Sequence, residues 1–396
     1  MGSYLSTPVR EKQSGSGRGA FFEYGFSGMQ GWRVDMEDAH ISESDLGYSM
    51  PGVGMFAVFD GHGGAEVANF CAKHMPTKVR SSDERDWALN LRHAFESMDE
   101  MLRLPEYLSE LPSLKAQKPN HHDEESSSDG ASPDHSHDHG EHEHHDGCCS
   151  STASSPEALT SLQNSLSTDF AALRDNGGVI SRDQAEMIMN KMILLRRLEA
   201  GGPRVSIPSA DNVGCTACVS LISKDRVVVA NAGDSRAVLC RDGKAIPLSE
   251  DHKPNDPIER RRIEAAGAQV HEMSSGARTH YRINGNLNLS RAIGDLEYKK
   301  RADLQHHEQA ICSTPDVREE ALQSKHDEFL IIACDGIWDV LTCQEVCDFV
   351  SERLRDGMGV KEVCEALVDR CLAEDPKETQ GIGADNMTCV LVKFEW

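Results

Sequence analysis

Hydrophobic positions along the chain follow two periods. Short apolar runs bounded by glycine or turn residues occupy 55–59, 215–220, 227–232, 237–239, 329–334 and 389–394, and read as buried strands. Residues 24–31 read as a first strand and turn, and Asp242-Gly243 makes 236–248 a hairpin. A helical period appears over 86–104, where Trp87, Leu91, Ala94, Phe95, Met98 and Leu102 share a face, with Pro105 and Pro112 bracketing its end. Helices are also predicted over 65–74, 257–266 and, as a pair, within 345–371. A further one spans 181–199, where Ser181 and Gln184 have capping-box spacing.

This pattern fails in the middle of the chain. Residues 119–173 contain no Lys or Arg, eleven acids and eight histidines (His121, His122, His135, His137, His139, His142, His144 and His145). Such a tract cannot bury a core and is expected to be a solvated spacer. Its histidines offer a second reading, a metal buffer, but lack fixed ligand spacing. Four segments follow: a flexible N-terminal segment 1–20 ending in a Gly/Ser-rich linker, a first domain part 21–115, an acidic insertion 116–205 closing with a helix, and a second domain part 206–396.

Charge and cysteine usage narrow the class. The formal net charge of −24 argues against direct nucleic-acid binding. Thirteen cysteines, an odd and scattered set, suit a reducing interior, and no apolar run reaches the ~20 residues a membrane span needs. Gly2 and Ser6 fit the N-myristoylation pattern, with an ordinary flexible terminus as the alternative. One acyl chain supports only weak membrane association. The expected setting is the cytoplasm, partly at membranes and with the nucleus open, and the expected state a monomer.

The candidate chemistry lies at the strand ends. The run 55–59 ends in Asp60-Gly61-His62-Gly63-Gly64, the run 329–334 ends in Asp335-Gly336, and Asp385 stands just before the last run. Three aspartates at the mouths of buried strands suit hard divalent cations, which prefer oxygen ligands. His62 can move a proton near neutral pH.

With Gly31-Trp32-Arg33-Val34-Asp35-Met36-Glu37-Asp38-Ala39-His40, Gly214-Cys215-Thr216-Ala217, Asn231-Ala232-Gly233-Asp234-Ser235-Arg236, Leu289-Ser290-Arg291-Ala292-Ile293-Gly294-Asp295 and Asp385-Asn386-Met387-Thr388, these motifs resemble the metal-dependent Ser/Thr protein phosphatases of type 2C. The acidic insertion points to their gamma-like subgroup. The resemblance implies an α+β fold, a four-layer αββα sandwich with two central antiparallel sheets flanked by helices. It implies hydrolysis of phosphoserine and phosphothreonine in phosphorylated protein substrates, with two Mg²⁺ or Mn²⁺ ions. Asp60 would bridge them, Asp335 and Asp385 ligate one, and the Gly61 carbonyl the other. Glu37 and Asp38 would contact metal-bound waters, Arg33 the substrate phosphate, and His62 the leaving oxygen. Asp234 would help hold a weaker third ion or else serve as a turn residue. Arg291 and Asp295 are expected to hold their loop, and the flap within 251–294 to select substrates.

Other readings stand beside this one. A catalytically silent scaffold could keep the fold and bind partners through the insertion, but the set Arg33, Asp60, Gly61, His62, Asp335 and Asp385 is complete. Cys215 and Cys218 have CxxC spacing, yet sit in an apolar strand with no second pair and read as core. Residues 175–181 look like a Ca²⁺ loop but lack its first acid and its closing Glu. Arg260, Arg261 and Arg262 read as a solvated helix face.

Overall fold

The computed structural model describes residues 4–115, 209–275 and 278–396, with a few positions between 163 and 195. The chain divides into two compact units, Met1–Ala116 with Pro208–Trp396, and Gln117–Ile207. Within the second unit Ile188, Lys191, Met192 and Leu195 are helical, inside the helix predicted over 181–199. The histidine-rich tract, the Ca²⁺-like loop and Gly2 lie outside the described residues.

The first unit is a mixed α/β fold with several antiparallel sheets. One sheet has the order β1 (Val9–Arg18), β2 (Phe22–Gly31), β16 (Met387–Phe394), β15 (Asp327–Ala333), β9 (Arg236–Arg241) and β10 (Lys244–Pro247). A second has the order β14 (Asp316–Ala321), β8 (Arg226–Ala232), β7 (Ala217–Ile222), β4 (Gly54–Phe59) and β3 (Ala39–Glu43). Every neighbouring pair in both is antiparallel. A small third sheet joins β13 (Ile293–Gly294), β6 (Gly214–Cys215) and β5 (Gly61–His62), and β11 (Val270–Ser275) pairs with β12 (Arg278–Ile283).

The continuous apolar runs are explained by burial on both faces, since side chains alternate along a strand. In β4, Phe56 and Val58 join a cluster shared with Leu330 and Ile332 of β15 and Val390 and Val392 of β16. The alternate residues Met55, Ala57 and Phe59 pack with α1 (Glu66–Ser81) and α2 (Trp87–Met101). In β15 the alternate set Phe329, Ile331 and Ala333 packs instead with three helices. These are α6 (Asp335–Trp338), α7 (Cys343–Arg355) and α8 (Val360–Cys371). The short helices α3 (Pro105–Leu108) and α4 (Leu111–Leu114) follow α2, and α5 (Pro257–Ala265) precedes β11. The predicted face of α2 is buried at Leu91, Ala94, Phe95 and Met98, and Asp86 caps it through the Ala88 and Leu89 N–H groups. Cys215 and Cys218 are free thiols in the core, as their strand pattern predicts.

The N-terminal segment differs from expectation. Residues 9–18, expected to be flexible, form an edge strand paired with β2 from Lys12 opposite Met29 to Arg18 opposite Glu23. Ladder hydrogen bonds use the backbone, so a polar sequence can make them. Gly15 and Gly17 leave the surface over which the Phe26 and Tyr24 rings lie, each ring within 2.6 Å of where a Cβ would be.

Candidate active site

Antiparallel pairing brings distant residues to one end of the two large sheets. Asp60 follows β4, and Glu37 and Asp38 precede its partner β3. Asp234 follows β8, whose partner β7 begins beside Asp60. In the other sheet Asp335 follows β15, Asp385 precedes β16, and Arg33 follows β2. Arg33, Glu37, Asp38, Asp60, Asp234, Asp335 and Asp385 thus sit at the same rim.

The Asp60 backbone is held from both sides. The Thr216 N–H donates to the Asp60 carbonyl at 2.9 Å, and the Asp60 N–H donates to Thr216 Oγ1 at 3.3 Å. Gly61 passes so close to Glu37 that a Cβ would lie 2.2 Å from the Glu37 carbonyl oxygen, which requires glycine here. Asn386, 5% exposed, ties the rim together. It accepts the Glu37 N–H at 2.9 Å and donates to the carbonyls of Gln30 and Asp35 at 2.8 and 3.1 Å.

The carboxylates are crowded. One ligand atom each from Asp38, Asp60 and Cys334 lie within 4.8 Å of one another. Neither carboxylate oxygen of the buried Asp38 makes a hydrogen bond of regular geometry. Burial pushes Asp38 up to about 7, with the Asp385 charge adding to it and the nearby Thr388 hydroxyl and Cys334 thiol opposing it. Burial, with the charges of Asp335, Asp38, Asp385 and Asp234, holds Asp60 well above the usual carboxylate range. Asp335 is raised in the same way, by burial and then by Asp234 and Asp385. Glu37 is raised by burial, against the opposing charges of Arg33 and His62.

Buried oxygens without well-formed hydrogen bonds and repelling carboxylates fit a hard divalent cation, which would satisfy the first and neutralise the second. Cys334 Sγ donates to the Asn386 carbonyl at 3.5 Å, and burial raises its pKa well above the ordinary value, so the oxygens are the better-suited donors.

Around this cluster stand two groups of opposite charge and one imidazole. Arg33 Nη2 donates to Asp385 Oδ2 at 2.6 Å and stays about half exposed, so its guanidinium also faces solvent. Lys253 Nζ donates to Asp234, which is 2% exposed. His62 Nε2 meets Asp295 Oδ2 at 2.7 Å. Burial alone would lower the His62 pKa, but the Asp295 charge and hydrogen bond outweigh it and leave it raised.

Asp295, Asn386, Thr216 and Lys253 were not assigned a role at the site from sequence. Asp295 and Thr216 stood inside recognisable motifs, but nothing local signals a bond between His62 and a residue 233 positions away. Arg291 does hold its loop, through Glu259 and Asp316.

Comparison with known proteins follows this geometry. A family model described as "Protein phosphatase 2C" matches residues 22–116 and 111–379. The chain is 37% identical to "Probable protein phosphatase 2C 21" of Arabidopsis thaliana, over 100% of this chain and 93% of that protein. It is 33% identical to "Protein phosphatase ppm-1.G" of Caenorhabditis elegans, over 100% of this chain and 99% of that one. A crystal structure of a phosphatase from Toxoplasma gondii superposes with a TM-score of 0.57 at 24% identity, covering 97% of this chain and 96% of its own. The serine-threonine phosphatase 2C of the same organism gives 0.55 at 18%, covering 99% and 98%, and both show the shared fold.

Proposed function

The chain belongs to the protein phosphatase 2C family, and we propose that it hydrolyses phosphoserine and phosphothreonine in proteins with the residues gathered at this rim. It is a metal-dependent protein serine/threonine phosphatase. Two bound Mg²⁺ or Mn²⁺ ions would supply charge neutralisation and an activated water nucleophile. Asp60, Asp335, Asp385 and the Gly61 carbonyl would hold them directly, and Glu37 and Asp38 through waters. Asp234, now engaged by Lys253, would hold a weaker third.

The chain's own groups do the rest. Arg33, at the mouth of the cluster, binds the phosphoryl oxygens through its planar fork and counters the charge that develops on them. With Nε2 on Asp295, His62 keeps Nδ1 for proton transfer to the leaving serine or threonine oxygen. The Asp295 carboxylate fixes the ring and favours its protonated form.

The observation that carries this reading is the buried carboxylate cluster, with Asp38, whose oxygens make no hydrogen bond of regular geometry, beside Asp60. It gives no support to a silent scaffold. The test is phosphate release from a phosphothreonine peptide with and without Mn²⁺. Release should require the metal and should vanish in Asp60→Asn. Equal release by folded Asp60→Asn would refute the assignment.

Finer features belong to the same reading. The core shared by the two large sheets, with helices packed beyond each, supports a four-layer αββα sandwich. The acidic insertion supports the gamma-like subgroup and a partner-binding role for that segment. The sequence at Gly2 supports weak membrane association.

A further inference from the structure

Behind His62 lies a buried ion pair that the reaction as described does not use. Asp99, on the inner face of α2, and Lys299, ending the turn Leu296–Lys299, are 1% and 6% exposed. Lys299 Nζ donates to Asp99 Oδ2 at 2.5 Å and to the Ala292 carbonyl at 2.7 Å. Asp99 Oδ1 accepts the Gly294 N–H at 2.8 Å. The pair thus grips the backbone on both sides of Ile293 and stops one residue short of Asp295. Asp295 itself has a left-handed backbone, φ +48°, uncommon for a residue with a Cβ although Asp tolerates it better than most. Its N–H donates to the Val213 carbonyl at 3.0 Å, and its carboxylate meets His62.

We propose that Asp99 and Lys299 are positioning residues for phosphoester hydrolysis. They hold residues 292–299 so that Asp295 presents its carboxylate to His62. This rests on the reading of His62 as proton donor to the leaving oxygen.

The surroundings argue for this role over plain stability. Phe95, Met98, Ile293 and Leu296 pack in the same region, and an apolar pair of similar volume would fill such a site at least as stably. What an apolar pair could not supply is two directed bonds to the backbone beside Asp295. The Asp99 bond reaches the loop from α2, and the Lys299 bond, within the loop, is tied to it by the ion pair, which joins residues 200 positions apart in sequence. Arg103 adds a third tie from the same helix end, its Nη2 donating to the Lys299 carbonyl at 3.3 Å.

The experiment uses the full-length Mn²⁺-loaded protein and two substrates. A phosphothreonine peptide leaves as a strongly basic alkoxide that needs a proton. p-Nitrophenyl phosphate leaves as a weakly basic phenolate that departs without one. In Asp99→Leu/Lys299→Met, which removes the charges together, kcat on the peptide should fall about tenfold or more, while p-nitrophenyl phosphate keeps most of its rate. His62→Gln should show the same selectivity more strongly. Asp99→Asn, which retains an oxygen for the Gly294 N–H, should lie between the double variant and wild type. It carries the test if the double variant does not fold by thermal unfolding.

Equal losses on both substrates, or no loss on either, would overturn the positioning role while leaving His62 in place. If His62→Gln itself falls equally on both, the proton-donor reading fails, and the inference with it.

Discussion

Gly214 shows how little room the His62–Asp295 pair has. A Cβ there would lie 2.6 Å from Asp295 Oδ2 and 2.8 Å from His62 Nε2, closer than real Cβ contacts allow. Gly214→Ala should therefore push His62 and Asp295 apart. The expected result is a kcat on phosphothreonine peptide lowered about tenfold to a hundredfold with KM little changed, read by steady-state kinetics. An unchanged kcat would show that the pair tolerates separation. The glycine was visible in the sequence beside Cys215 and Thr216; its reason was not. Asp60, Asp335 and Asp385 pointed to cation chemistry in the sequence because each stands beside a buried apolar run and offers hard carboxylate oxygen. Asp295 could equally have been a cap, a turn residue or a ligand, and only its 2.7 Å approach to His62 assigns it.

At the scale of elements, α5 behaves differently from the solvated face expected of its three arginines. Arg260 pairs outward with Glu264, but Arg262 turns inward. Its Nη1 meets Glu259 at 2.7 Å and its Nη2 donates to the Ser290 carbonyl at 2.5 Å. Glu259, 3% exposed, also accepts from Arg291 at 2.8 Å and from Ser290 Oγ at 2.6 Å. Burial alone would raise the Glu259 carboxyl, but Arg291, Arg262 and Ser290 hold it down to about 2 from its ordinary 4.5. A depressed acid stabilises the fold above its unfolded pKa and loses that contribution as pH falls through the folded one. Here the contribution is on the order of 3 kcal/mol, complete above pH 4.5 and lost towards pH 2. Urea unfolding should find Glu259→Gln less stable by about that amount at neutral pH, with the gap closing as pH falls through this window. A gap independent of pH would mean the stabilisation is packing and not charge. Periodicity marked α5 as a helix, but three neighbouring arginines cannot say which of them points inward. β1 escaped notice for a related reason. An edge strand is specified by backbone pairing and a partner's aromatic rings, neither of which leaves an apolar period in its own sequence.

The molecule as a whole concentrates like charge where its strands end. Without a counter-ion, burial and mutual repulsion hold Asp60 and Asp335 far above their ordinary range, which costs stability. Mn²⁺ or Mg²⁺ should raise the thermal unfolding midpoint of the wild-type protein in a concentration-dependent way, since a ligand that binds only the folded state stabilises it. Asp60→Asn removes one of the crowded charges. Metal-free, it should unfold at a higher temperature than wild type, and added Mn²⁺ should shift it little. A metal response of Asp60→Asn equal to that of wild type would place the binding elsewhere. A stability gain from disabling the chemistry is the expected mark of a site built for function.

By itself the sequence determined the buried strands, the main helices, the acidic break between the two halves of the fold, and the chemical type of the site. These follow from local rules. A strand buried on both faces must be apolar throughout, an amphipathic helix must repeat near every third or fourth residue, and carboxylates at strand ends must be neutralised or repel. The tertiary structure decided which residues face one another. It set Asp295 on His62, Asn386 on the backbone of Glu37, Lys253 on Asp234, and the Asp99–Lys299 pair behind the Asp295 loop. Each pairing joins separate segments of the chain, and most span well over a hundred positions. Packing brings such partners together, and no short-range pattern encodes packing.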